Sequence, residues 1–224
     1  MYLVLVRHGE SAWNKENRFT GWTDVELSEK GIDEAINAGM MLATTHIQFN
    51  IAYTSVLKRA KDTLKYIMDY VQIPLVIEDY HYNERHYGAL QGLNKDEMKQ
   101  KYGEDQVQKW RRSYDVRPPE LDVSDERFPS HDDKYKDLPF EKLPKCESLK
   151  DTLIRVQEVF GDVKDRLRQG ENVLIVAHGN SLRAIVKDLE NISDEEIVKV
   201  EIPTGRPIVY ELDDDLNVIS KTEL

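Results

Sequence analysis

The sequence predicts an α/β fold: a mostly parallel sheet flanked by helices, with a largely helical insertion set over the active site. Three observations predict it. Residues 2–6 and 173–177 are continuous apolar runs, amphipathic stripes of helical period lie between strand-like segments, and a polar, proline-broken stretch covers about 80–145. With 224 residues the chain is long enough for one sizeable core, and the expectation is a single domain over 1–224 with the insertion inside it.

The elements follow in order. Tyr2-Leu3-Val4-Leu5-Val6 carries no polar residue, which suits a strand buried on both faces. Ser28 is placed to cap a helix whose stripe is Ile32, Ala35, Ile36, Gly39 and Met40. Residues 51–55 and 75–77 are weaker strand candidates. Between them Leu57, Ala60, Leu64, Ile67 and Val71 form a second helical stripe. The insertion contains Pro118-Pro119 and the charged run Ser130-His131-Asp132-Asp133-Lys134, so its middle, near 115–145, is expected to be irregular and mobile. Ser148 and Asp151 stand in capping-box spacing before a stripe running from Leu149 through Leu153, Val156, Phe160, Val163 and Leu167. Val173-Leu174-Ile175-Val176-Ala177 is the second buried strand, and Leu182, Ile185, Val186 and Leu189 make a short helix after it. Residues 208–212 and 218–220 read as a late strand pair joined through Asp213-Asp214-Asp215-Leu216-Asn217.

Charge narrows the partners. Lysine and arginine total 31 against 42 acidic residues, a formal net charge of −11. An acidic surface repels nucleic acid and anionic membrane, so neither is an expected partner, and an anionic substrate needs a local basic pocket. Cys146 is the single cysteine, which rules out an intrachain disulfide and suits a reducing compartment. The first apolar run is too short for a signal peptide or a spanning helix, so the expected location is cytoplasmic.

In open α/β sheets ligands sit beyond the carboxyl ends of the strands. Both buried strands end there in a histidine turn, Arg7-His8-Gly9-Glu10 and His178-Gly179-Asn180. One such histidine is ordinarily a hydrogen-bonded turn residue; two in one small domain point to chemistry. Arg59 stands near a helix start, where the dipole favours acids, and a bound anion would resolve that conflict; the plain alternative is a surface salt bridge. Asn14, Thr20, Gly21 and Asn180 add neutral donors near the same turns. No histidine spacing suits zinc, and neither a calcium loop nor a Gly-x-x-x-x-Gly-Lys-Ser/Thr loop is present. Arginine and histidine can neutralise a phosphoryl group without a metal, provided a nucleophile and a separate proton shuttle accompany them. Neutral imidazole serves as the first. Glu84 is a candidate for the second, though spacing alone leaves it one of many carboxylates.

Longer matches carry a resemblance. Leu5-Val6-Arg7-His8-Gly9-Glu10-Ser11 is similar to the Arg-His-Gly signature of the histidine phosphatase superfamily, with a second histidine in Ala177-His178-Gly179-Asn180-Ser181-Leu182-Arg183. Trp13-Asn14, Phe19-Thr20-Gly21-Trp22, the run from Asn83 through Lys95, Trp110-Arg111-Arg112-Ser113-Tyr114, Glu147 through Thr152, and Ile202-Pro203-Thr204-Gly205 extend it. Together these segments resemble the cofactor-dependent phosphoglycerate mutase family across nearly the whole chain.

The resemblance implies interconversion of 3-phosphoglycerate and 2-phosphoglycerate in glycolysis and gluconeogenesis, with 2,3-bisphosphoglycerate as primer and no metal. It makes His8 the phosphorylated nucleophile, held by Arg7, Arg59, Asn14 and His178, with His178 steadying the phosphoryl group and Glu84 moving the proton. It gives Ser11, Thr20, Gly21, Tyr87, Lys95, Arg111, Arg112, Gly179 and Asn180 to binding of the phosphoglycerates. Without it, Arg111-Arg112 reads as a solvated helix face. A homodimer or higher homo-oligomer is implied as well.

A phosphoenzyme that passes its group to water is a phosphatase. The rivals are therefore a bisphosphoglycerate mutase/phosphatase and a broader phosphomonoesterase of the same superfamily. A silent scaffold on this fold is disfavoured by the intact His8, Arg7, Arg59, Glu84 and His178. The sequence stops at Leu224, whereas many relatives carry a longer tail over the site. The expectation from this is measurable hydrolysis of 2,3-bisphosphoglycerate beside the mutase reaction.

Overall fold

The computed structural model describes residues 1–224. Six strands form one sheet: β1 (Tyr2–Arg7), β2 (Ile51–Thr54), β3 (Val76–Glu78), β4 (Val173–Ala177), β5 (Pro207–Leu212) and β6 (Val218–Glu223). Their order is β3-β2-β4-β1-β5-β6. The pairs β3·β2, β2·β4 and β4·β1 are parallel, while β5 runs antiparallel to both β1 and β6. The mostly parallel sheet is thus as expected, with β6 three residues longer than the 218–220 read from the sequence.

Strand β1 explains why its run has no polar break. Side chains alternate across a sheet, so Leu3 and Leu5 enter one core cluster while Val4 and Val6 enter another on the opposite face. The first cluster lies under α6 (Leu149–Arg168) and α7 (Gly179–Leu189), through Val156, Phe160, Val163, Leu182 and Ile185. The second lies under α2 (Glu29–Thr44) and α3 (Lys58–Met68), through Ala38, Leu42, Leu64 and Ile67. Full burial of each such aliphatic side chain is worth about 1.5–3 kcal/mol, so losing the alternation would cost the sheet both of its covers.

The capping expectations hold. Ser28 Oγ accepts from Gly31 N at 3.1 Å, and Ser148 and Asp151 form a reciprocal box at the start of α6. The face of α2 needs correction. Met40 is 51% exposed and Ile32 and Ile36 are half-buried, whereas Gly31, Ala35, Ala38, Gly39 and Leu42 are buried. The reason is close approach. A Cβ on Gly31 would stand 2.0 Å from the carbonyl oxygen of Glu10, and one on Gly39 would stand 3.1 Å from Ile67 Cα, so the helix lays its smallest residues inward. Val71, expected in the stripe of α3, lies beyond the end of that helix and packs partly buried on the same cluster.

The insertion is helical chiefly in its first half, where α4 (Lys95–Tyr102) and α5 (Glu104–Arg112) follow two short 3-10 turns. From 113 to 148 only single 3-10 turns occur. That irregular half still has a small core of its own, formed by Trp22, Leu121, Phe128, Tyr135 and Leu143. Phe19 does the same for the first half, with Leu90, Met98, Val107 and Trp110. Two aromatics from one loop therefore anchor both halves of the insertion above the sheet. Ahead of that loop, α1 (Ala12–Lys15) is a single turn capped by Ser11. No helix is long and apolar enough to cross a membrane.

The helices that follow β1 and β4 depart to opposite faces of the sheet. Adjacent strands whose helices diverge open a crevice at their carboxyl ends, and Arg7-His8 and His178 lie at its mouth.

Candidate active site

His8 extends β1 by one more ladder bond, its N–H donating to Ala177 O at 3.0 Å. His178 follows β4, the hydrogen-bonded neighbour, so the two rings meet edge-on with centroids 4.9 Å apart. His8 Nδ1 lies 2.6 Å from the carbonyl oxygen of Gly9. A carbonyl can only accept, so Nδ1 carries the proton and Nε2 keeps the lone pair. Arg59 Nε–H donates to that Nε2 at 3.3 Å, which agrees with the same tautomer. Burial, with the Arg59 and Arg7 guanidinium groups beside it, holds the His8 pKa well below the usual histidine range. At neutral pH the ring is uncharged, with the chemistry a nucleophile needs at Nε2.

Around it is a cleft of about 420 Å3, lined by Arg7, Arg18, Arg59, Lys95, Arg111, Arg112 and Arg183 against only Glu84 and Glu201. Seven cations facing two carboxylates make the local basic pocket that an acidic chain needs for an anionic substrate. Arg59 occupies the second position of α3, where Leu57 supplies no side-chain cap. Its Nη1 and Nη2 donate to Thr23 O and Gly21 O at 2.9 and 2.8 Å, which fixes the guanidinium plane against His8. Burial lowers its pKa to about 10, still cationic at pH 7, with Glu84 opposing the shift.

Arg7 donates from Nη1 to Ile202 O at 2.9 Å, and its Nε is buried without a protein partner, as is Thr20 Oγ1. Gly179 packs against Arg7, where a Cβ would meet the guanidinium at an ordinary contact distance of 3.4 Å. Gly21 is required twice over: its φ is +57°, and a Cβ would stand 2.0 Å from Gln91 Oε1.

Glu84 enters from the loop after β3 and is 8% exposed. Its Oε1 accepts from Arg85 N at 2.7 Å and from Asn180 N at 3.1 Å, the latter in the first turn of α7. Those bonds occupy one oxygen and leave Oε2 without a protein partner. Tyr87 Oη accepts from Asn180 Nδ2 at 3.3 Å and from Arg85 Nη2 at 3.0 Å, and Arg85 Nη2 also donates to Arg111 O at 2.7 Å. The insertion is thus wired to the mouth of α7.

Of the residues singled out from sequence, Arg7, His8, Asn14, Thr20, Gly21, Arg59, Glu84, Tyr87, Lys95, Arg111, Arg112, Gly179 and Asn180 all line the cleft. Two stand behind it. Ser11 is fully buried, and its Oγ accepts from Asn14 N at 3.2 Å, so it acts as the cap of α1 and holds Asn14 in place. His178 is also fully buried, with Nε2 2.7 Å from Ser55 Oγ and its ring against His8.

Arg18, Arg183 and Glu201 were missed. Arg183 sits one helical turn after Asn180 and donates to its Oδ1 at 2.9 Å, so helical spacing from Asn180 would have found it. Arg18 reaches the cleft by donating to Gly92 O at 2.8 Å, and Glu201 by pairing with Arg112 at 2.6 Å; both contacts join distant segments and have no local signal.

Buried neutral histidines leave a mark on stability. His8, His178 and His86 all have pKa values lowered first by burial and then by nearby arginines, His86 to about 3. Because the folded values lie below the unfolded ones, stability is full above about pH 6.5 and is lost as pH falls towards the folded values. Each ring that stays neutral costs about 1.4 kcal/mol per pH unit over that fall. Thermal melting is therefore expected to drop markedly from pH 7 to pH 5, before most carboxylates protonate. A flat melting temperature over that range would contradict the assignment.

The model of the histidine phosphatase superfamily (branch 1) matches residues 3–129 and 122–223. The 2,3-bisphosphoglycerate-dependent phosphoglycerate mutase of Borreliella burgdorferi is 55% identical over 223 residues, covering 97% of this chain and 89% of that protein. Its counterpart in Treponema denticola is 55% identical over 228 residues, covering 100% and 92%. Among solved structures, a mycobacterial glucosyl-3-phosphoglycerate phosphatase aligns with a TM-score of 0.75 at 21% identity, over 99% of this chain and 96% of that one. The last is a likeness of fold.

Proposed function

The chain belongs to the histidine phosphatase superfamily, branch 1, and from that premise we infer that it interconverts 3-phosphoglycerate and 2-phosphoglycerate as a 2,3-bisphosphoglycerate-dependent mutase. The observation that carries this reading is 55% identity, along nearly the whole chain, to proteins of that name. The site fits the group it must hold. Buried donors without protein partners at Arg7 Nε and Thr20 Oγ1, and cations from β1, α3, α4, α5 and α7, suit a small molecule with two phosphates and a carboxylate.

In this reading 2,3-bisphosphoglycerate supplies the phosphoryl group that primes the enzyme. His8 Nε2 attacks phosphorus and holds the group as phosphohistidine; the Nδ1–H bond to Gly9 O steadies the cation that forms on the ring. Arg7 and Arg59 offset charge on the equatorial oxygens, and the fixed plane of Arg59 makes that offset directional. Neutral His178, with Nε2 on Ser55 and Nδ1 without a protein partner, steadies the group as an N–H donor rather than as a charge. Glu84 Oε2 gives a proton to the departing substrate oxygen, or takes one from the attacking hydroxyl, as the group leaves or returns. Lys95, Arg111, Arg112 and Arg183 hold the far end of the substrate, while Asn14, Tyr87, Gly179 and Asn180 direct it between the two walls.

Arginines rather than a divalent ion carry the neutralisation in this scheme. Activity is accordingly expected to survive a strong chelator and to fall as ionic strength rises, with kcat/KM reduced about threefold or more between low salt and a few tenths molar. The deciding assay supplies 3-phosphoglycerate with and without catalytic 2,3-bisphosphoglycerate and measures 2-phosphoglycerate against free phosphate. Phosphate release in excess of 2-phosphoglycerate would turn the reading to a phosphatase. Loss of activity to the chelator, restored by magnesium or manganese, would overturn the metal-free scheme.

The same reading assigns the enzyme to the cytoplasm, a reducing compartment that suits the free, buried Cys146. It also includes a homodimer or higher homo-oligomer, supported by exposed Leu75 directly before β3, a strand with one unpaired edge. Sedimentation at the single-subunit mass of 26.1 kDa would remove that last part.

A further inference from the structure

Behind Glu84, out of reach of the cleft, lies a buried ion pair. Arg155 on α6 is 7% exposed and Glu147, just before that helix, is 4% exposed. Arg155 Nε and Nη2 donate to the two carboxylate oxygens of Glu147 at 2.7 and 2.8 Å. The rest of the guanidinium is spent on one loop: Nη1 donates to the carbonyls of Tyr80, His81 and Asn83 at 3.1, 2.7 and 3.2 Å, and Nη2 to that of Glu84 at 3.2 Å.

Glu147 holds the other side of the same loop. Its Oε2 accepts from His86 N at 2.9 Å, and its own N–H donates to His86 O at 2.8 Å. The Glu84 carbonyl accepts a second bond from Trp22 Nε1 at 2.6 Å, and the Arg155 guanidinium lies 5.4 Å from the Trp22 ring centre. Every bond from this pair to the main chain therefore falls within residues 80–86, with Glu84 inside the bracket.

A buried ion pair is weak evidence of stability, because desolvation offsets much of the attraction. A planar fork that collects the carbonyls of one loop, by contrast, sets a geometry. Acid–base transfer tolerates little displacement, and a shift of about 1 Å at a catalytic group can cost about 100-fold. We propose that Arg155, held by Glu147, is a positioning residue for Glu84: it fixes the Glu84 main chain from behind and so sets how far Oε2 reaches into the cleft. The proposal rests on the reading of Glu84 as the proton shuttle.

The test is a double-mutant cycle in the full-length protein. Arg155→Lys is made in the parent and in a Glu84→Gln background, with kcat and KM for 3-phosphoglycerate and the melting temperature measured for all four proteins. In the parent background kcat is expected to fall about 10–100-fold, with KM within about threefold. In the Glu84→Gln background the same change is expected to lower the residual rate by less than about twofold, since there is no longer a carboxylate to place. A general structural role would give the same factor in both backgrounds, and that result overturns the proposal. So does an unchanged kcat in folded Arg155→Lys. Glu84→Gln alone with the parent's activity would instead sink the shuttle reading, and it is seen before Arg155 is touched. If Arg155→Lys does not fold, Glu147→Gln, which loosens the grip while keeping the size, takes its place with the same pattern expected.

Discussion

His8→Ala is expected to abolish phosphoenzyme formation and to lower mutase turnover by at least about 10⁴-fold, while the sheet and its helices stay folded. The imidazole provides the lone pair at Nε2, and the groups nearest to it cannot replace it. Arg59 and Arg7 are cations, and His178 Nε2 faces Ser55 Oγ rather than the cleft. The fold survives because His8 contributes its main-chain bond to Ala177 O, which alanine also makes, and its side chain belongs to none of the apolar core clusters. The measurement is acid-labile phosphate bound after incubation with labelled 2,3-bisphosphoglycerate, beside the mutase assay and a thermal melt. Label retained in the variant, or turnover near the parent's, would remove His8 from the role given to it.

Arg59→Lys is expected to lower kcat by roughly 10²–10³-fold, although it keeps the charge. Three separate nitrogens of Arg59 are in use: Nη1 and Nη2 lock onto the Thr23 and Gly21 carbonyls, and Nε faces His8 Nε2. An ammonium is a point charge on a flexible stem and cannot hold two loop carbonyls while aiming a donor at the reacting atom. A pH profile separates this from a fold defect. Arg59 is one of the charges that keep His8 neutral, so a cation that drifts away lets the His8 pKa rise. More of His8 is then protonated at a given pH, and the acid limb of the activity profile moves up towards neutrality. Near-parent kcat in Arg59→Lys, with an unmoved acid limb, would show that charge alone suffices there.

Much of this was legible in the chain itself, for local reasons. Two unbroken apolar runs ending in histidine turns determine two central strands and the end of the sheet where chemistry occurs, because a strand without polar residues must be buried on both faces. The capping box at Ser148 and Asp151 determines where α6 begins. The motif runs around Arg7-His8, Asn83 through Lys95 and Arg111-Arg112 pointed to the family and to most of the lining of the cleft. The face of α2 was only partly legible: of the stripe Ile32, Ala35, Ile36, Gly39 and Met40, Ala35 and Gly39 are buried. Only the close crossing with the Gly9–Glu10 turn and α3 turned Gly31 and Ala38 inward in place of Ile32, Ile36 and Met40. Spacing alone left Glu84 one of many carboxylates; the resemblance singled it out, and the structure added that Asn180 N and Arg85 N occupy its Oε1. Arg155 could not be told from the basic residues of an amphipathic helix until its fork closed on residues 80–86. The sequence by itself determined which residue types are available and which strand ends bear histidine, since these depend on neighbours within a few residues. Only the tertiary structure decided which nitrogen of His8 is free, which oxygen of Glu84 is free and which arginine stands behind it. Those assignments rest partly on contacts to the next residue, His8 with Gly9 O and Glu84 with Arg85 N, whose geometry depends on the turn each side chain is held in. They rest also on hydrogen bonds from Arg59, Asn180 and Arg155, tens of residues away, about which local propensity carries no information.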